Sequence, residues 1–117
     1  MKSLSIALVI IVLSLVAAGP AFAMDGECNH DMDTIESLHH CVMHAAEMGH
    51  ITNQGVANAL MSKLDAAQAA LDRGQPAVAA NILQAFIHQV EAQSGKHIVP
   101  EHAAHLIEHA QRVAAAL

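Results

Sequence analysis

Apolar residues return at intervals of three and four along four stretches of the chain, each fenced by residues that start or stop a helix. Ile35, Leu38, Val42, Ala45 and Ala46 mark the first stretch, which reads as a helix over about 34–48. Asp33 with Glu36 three residues on has the form of a capping box, and Gly49 supplies the stop. Thr52-Asn53 opens a second helix carrying Val56, Leu60, Leu64, Ala67 and Leu71 on one face, with Gly74 at its end. Pro76 sits where a first helical turn tolerates it, and Ala79, Ile82, Leu83, Phe86, Ile87 and Val90 form the inward set of a third helix that stops at Ser94-Gly95. Pro100-Glu101 opens a fourth, with Ala103, Leu106, Ile107, Ala110, Val113 and Leu117 inward. Connections this short favour antiparallel neighbours. The expected fold is all-α: a small antiparallel bundle of about four helices over residues 34–117, three of them long and the first shorter and rich in histidine.

Ahead of the bundle the pattern changes twice. Met1-Lys2-Ser3 carries one positive charge, Leu4 to Ala18 carries none, and Gly19-Pro20 leads into Ala21-Phe22-Ala23. A basic start, an apolar run, a helix breaker and a small-x-small site in that order read as a cleavable signal peptide over residues 1–23. The apolar run falls short of the roughly 20 residues a bilayer span needs, so the expected product has no stable membrane anchor after cleavage and is secreted or periplasmic. Residues 24–33 are polar and acidic without apolar period, and read as a flexible tail unless Cys28 ties it down.

Cleavage removes one lysine and no acid, so the net charge moves from −6 to −7 with histidines neutral. That balance argues against nucleic acid, whose phosphates call for clustered Lys and Arg, and against an anionic membrane surface. Phe86 is the one Phe, Tyr or Trp beyond the leader, so the core is built from Ala, Leu, Ile, Val and Met, which suits close helix packing better than a sheet. Cys28 and Cys41 would stand in an oxidising compartment, where pairing is the default. A soft-metal thiolate and a nucleophile are the other readings of Cys41. His40 beside it points about 100° away on a helix and is no natural base partner.

Several runs carry a family resemblance: Gly49-His50-Ile51-Thr52-Asn53-Gln54-Gly55-Val56-Ala57-Asn58-Ala59-Leu60, then Lys63-Leu64-Asp65-Ala66-Ala67, Leu71-Asp72-Arg73-Gly74, Leu83-Gln84-Ala85-Phe86-Ile87-His88-Gln89-Val90, and Gly95-Lys96-His97-Ile98-Val99-Pro100-Glu101. Over about residues 48–114 the chain resembles the FIMAH domain, a small helical module found at the ends of larger secreted bacterial hydrolases and surface proteins. The resemblance implies an accessory or docking role and supplies no catalytic residue.

Ten histidines stand out against that background, five between residues 30 and 50 and four between 97 and 109. Neutral imidazole is a good ligand for zinc, copper and nickel. On the first helix His40, Met43, His44 and Glu47 fall three or four apart, so they share a face that points away from Leu38, Val42 and Ala45. Imidazole with thioether suits copper(I), and imidazole with carboxylate suits zinc or copper(II). The plainer reading is a solvated face with methionine as filler. His102, His105 and His109 repeat the spacing along one edge of the fourth helix, where burying ring carbon with one nitrogen wet would explain them equally well. His88 reads as a partly exposed helix residue and His97 as a local hydrogen-bonding group. The chain holds no His-Glu-x-x-His, no Gly-x-Ser-x-Gly, no phosphate-cradling loop and no Cys-x-x-Cys. The sequence thus predicts a non-catalytic protein that binds copper or zinc through these clusters, the alternative being a module that docks to another secreted protein with no metal role.

Overall fold

The structure, a computed structural model, describes Cys28 and residues 31–117. The expected signal peptide and most of the acidic tail lie outside the described residues. Four helices follow: α1 (Ile35–Glu47), α2 (Gln54–Asp72), α3 (Pro76–Gln93) and α4 (Pro100–Ala115). Consecutive helices pack on one another and α4 closes back on α1, which gives the four-helix all-α domain that the periodicity predicts. Among the described residues no helix is long and apolar enough to cross a membrane.

The glycine stops act through left-handed backbone. Gly49 has φ 84°, and beyond it the His50 amide donates to the Ala45 carbonyl at 2.8 Å while the Gly49 amide donates to that of Ala46 at 3.2 Å. Gly74, at φ 79°, repeats the pair through Gln75 to Ala70 and Gly74 to Leu71, both at 2.9 Å. Both are Schellman closures, which satisfy carbonyls that a helix end otherwise leaves without partners.

The start of α1 differs from the expected capping box. Thr34, not Asp33, is the cap: its backbone is extended (φ −126°, ψ 154°) and its hydroxyl accepts from the Ser37 amide at 3.1 Å. Asp33 stands one residue too early for that bond and pairs with Arg112 of α4 at 3.1 Å. At α2 the cap is Asn53, whose side chain accepts from the Val56 amide.

The core runs the length of the bundle. Leu38, Val42, Leu60, Leu64, Leu83, Phe86, Val90 and Val113 are fully buried, and Ala57, Ala67, Ala70, Ala79 and Ala110 are buried between them. Such small residues let the helix axes approach closely enough for the leucines to interdigitate. Val56, Leu71, Ile82, Ile107 and Leu117, expected fully inward, sit half-buried at the edge of the core. Ile82 and Ile107 lie on the shoulders of their helices, Val56 and Leu71 sit in the first and last turns of α2, and Leu117 lies beyond the end of α4.

At one end the two longer connections are zipped together. The Thr52 amide donates to the His97 carbonyl at 2.8 Å and the Val99 amide to the His50 carbonyl at 2.9 Å, forming an isolated antiparallel bridge between Ile51 and Ile98. Both isoleucines are buried. This bridge fixes where His50 and the start of α4 stand relative to each other.

Candidate functional site

The chemistry-bearing side chains gather along the seam between α1 and α4. Cys41 faces inward on α1 among Leu38, Val42 and Ala45, and it is bonded to Cys28 as a disulfide. That bond holds the tail against the bundle. Two further contacts pin the same segment: the Asp33–Arg112 pair, and a 2.9 Å bond from His109 Nε2 to the Met32 carbonyl oxygen. A carbonyl only accepts, so this ring carries a proton on Nε2, which in the neutral imidazole leaves the lone pair on Nδ1. Nδ1 faces the Cys41 sulfur at 3.7 Å.

His109 is fully buried, which departs from its expected place on a wet helix edge beside His102 and His105. Around the helix axis it lies within about 20° of His102, so rotation is not the cause. At its level α4 is covered by Met32 and the disulfide, whereas His105 is exposed and His102 half-buried.

Two turns nearer the zipped connections, the rings of His50 and His102 stack with centroids 3.5 Å apart and planes inclined by 16°. His105 meets His102 edge-on with centroids 6.2 Å apart. His44 of α1 lies across from them, and His44, His102, His105, Cys28 and Cys41 line one small pocket of about 70 Å³. Histidines of the first and fourth helices therefore share a site beside the disulfide. Among the described residues, the group of three His, Cys, Asp or Glu side chains whose donor atoms all lie within 4.8 Å of one another is Cys28, Cys41 and His109.

The remaining candidates of α1 lie elsewhere. His40 and Glu47 are exposed and Met43 is 38% exposed, on the side of the helix turned from the core. His40 borders a shallow hollow with Met32, Thr34, Glu36 and Ser37. His88 is exposed and contacts Gln84 at 3.2 Å, while the His97 side chain is exposed and its carbonyl serves the zipped connection. Sequence reasoning passed over His50, since a residue just past a glycine stop has no helical face from which its direction can be read. His39 lies apart from the seam, where its Nε2 reaches the Asp65 carboxylate of α2 at 3.5 Å. That pair borders a hollow of about 540 Å³ between α1 and α2, floored by Ile35, Leu64 and Leu71 with Glu36 and Gln68 at its rim.

The family model described as the FIMAH domain matches residues 35–115. The match takes in α1 and so begins ahead of the stretch on which the resemblance is visible by eye. No curated protein and no solved structure is significantly similar to the chain. The disulfide and the family are compatible with a protein exported from the cytoplasm.

Proposed function

Since the chain belongs to the FIMAH domain family, we propose that it is a non-catalytic, exported helical module that binds a transition-metal ion, copper(II) or zinc, at the end of the α1–α4 seam. The supporting observation is the pocket that His44, His102 and His105 line together beside the disulfide, with His50 stacked on His102. Imidazole is the ligand these ions share. Binding one ion requires these rings to turn about χ1 and χ2 until their nitrogens converge, and for His102 that means giving up its stack on His50. The Ile51–Ile98 bridge holds the backbone under His50 and His102 while the rings turn.

Calorimetric titration of the purified oxidised protein with zinc and with copper(II) tests the reading. One ion per chain is expected, with a raised melting temperature because the ion binds the folded state. His102→Ala with His105→Ala should weaken binding by about tenfold or more, whereas His40→Ala with Met43→Ala should leave it unchanged. Binding no tighter than about 0.1 mM in the unaltered protein refutes the proposal.

A second reading draws on the hollow between α1 and α2: an accessory module docking to another secreted protein. Its apolar floor and the Glu36 and Asp65 carboxylates are the features a partner segment would meet. Loss of partner capture on Leu71→Lys, with metal binding intact, would favour it.

A further inference from the structure

The disulfide is the centre of a second, different donor set. We propose that, once opened by a dithiol reductant, Cys28 and Cys41 join His109 in a three-coordinate site for copper(I). The site uses residues outside the histidine pocket and does not require that pocket to bind metal.

Three features of the seam carry the inference. First, the donors are already assembled: Cys28 Sγ, Cys41 Sγ and one nitrogen of His109 lie within 4.8 Å of one another. Donors about 2.0–2.3 Å from a shared d10 ion stand roughly 3.5–4 Å apart in a trigonal set, and the Cys41 sulfur and His109 Nδ1 are 3.7 Å apart as they stand. Second, the imidazole is prepared as a ligand. Its Nε2–H donates to the Met32 carbonyl at 2.9 Å, the outer contact that fixes tautomer and ring direction in metal-bound histidines, and the basic nitrogen is aimed at sulfur. Third, the tail that carries Cys28 has holds other than the disulfide. The Met32 carbonyl bond and the Asp33–Arg112 pair both lie between the two cysteines in sequence, so with the S–S bond open the chain is still held against α4 within four residues of Cys28.

The chemistry balances without a hidden reagent. A dithiol delivers two electrons and two protons, the Cys28–Cys41 S–S bond breaks, and the reductant closes its own disulfide. Cys28 is half-buried and Cys41 is in the core, so attack falls on Cys28 through a mixed disulfide. Copper(I) then displaces the two thiol protons and gains two thiolates and one imidazole, a soft set that selects it over harder ions. While oxidised, the same sulfurs are poor ligands and the site is off. Redox state thereby sets whether the domain offers imidazoles alone or imidazole with thiolate.

The test is competition of the purified protein, oxidised and dithiol-reduced, against a chromophoric copper(I) chelator under anaerobic conditions. The reduced protein is expected to take one copper(I) with a sulfur-to-copper charge-transfer band in the near ultraviolet. The oxidised protein should lack that band. Cys28→Ser and His109→Gln, each reduced, should weaken binding by about tenfold or more, with circular dichroism reporting that the helices persist. His102→Ala with His105→Ala should leave the band unchanged, so a failed histidine pocket and a failed thiolate site give different results. Equal copper(I) binding by oxidised and reduced protein, or full binding by folded Cys28→Ser, overturns the proposal.

Discussion

His109→Ala probes the buried contact on which the tail, the disulfide and α4 converge. The ring is fully buried, close in size to a leucine side chain, and truncating such a group in a packed site costs about 2–4 kcal/mol in transfer and cavity terms. The bond to the Met32 carbonyl at 2.9 Å goes with it, worth about 1 kcal/mol net. Together these give about 3–5 kcal/mol, and since 1 kcal/mol moves the midpoint of a domain this size by roughly 4–8 °C, the melting temperature should fall by at least about 12 °C. Thermal unfolding followed by circular dichroism reads the shift, and urea unfolding checks that the m-value is unchanged, so that the folded state rather than the unfolded one carries the effect. His109→Gln, with an amide N–H for the Met32 carbonyl and much of the volume, should recover part of the loss. A drop of less than about 4 °C for the alanine variant, under 1 kcal/mol, would refute the reasoning, because it would mean that the ring neither fills space nor holds the tail.

Other expectations follow from single contacts. Removing the disulfide with Cys28→Ala and Cys41→Ala should cost about 3 kcal/mol, as the cross-link spans a sequence separation of 13 and acts through unfolded-chain entropy; an unchanged urea midpoint would count against it. Thr34→Ala should cost about 1 kcal/mol as the loss of the α1 cap while Asp33→Ala costs less, its Arg112 partner being surface-exposed; equal effects in urea would restore the Asp33 capping box. Gly49→Ala should destabilise by about 1–2 kcal/mol through left-handed backbone alone, since nothing lies within 4 Å of an added Cβ, and a neutral result by thermal melting would contradict the Schellman closure. Ile98→Ala should cost about 2–4 kcal/mol and also broaden the His50 and His102 ring signals in NMR spectra, because the bridge positions both; sharp, unshifted signals would separate the bridge from the stack.

What the residues disclose in advance is local. Apolar spacing and glycine stops mark four helices because each depends on neighbours within one turn, and the Cys28–Cys41 pairing is readable from compartment and count. The bridge between Ile51 and Ile98 is a contact across the fold with no periodic signature, and with it goes the stacking of His50 on His102. His109 shares helical spacing with His102 and His105, yet what decides its burial is the tail crossing over it. Thr34 and Asp33 are both good caps by residue type, and the choice between them rests on where the helical backbone begins, which residue type alone does not fix. The face of α1 with His40, Met43 and Glu47 is legible as a face, but a face holds metal only if another element brings donors to it, and α4 instead meets His44.

The central claim is that metal binds where the first and fourth helices bring their histidines together. The most direct measurement is a two-dimensional NMR spectrum of the imidazole resonances of oxidised protein through a zinc titration, with each histidine assigned by substitution. The account predicts that His44, His102 and His105 shift first and saturate together at one equivalent, with His50 following as its stack opens and His40 and His88 unmoved. Uniform small shifts across all the histidines without saturation, or a response led by His40, would contradict it.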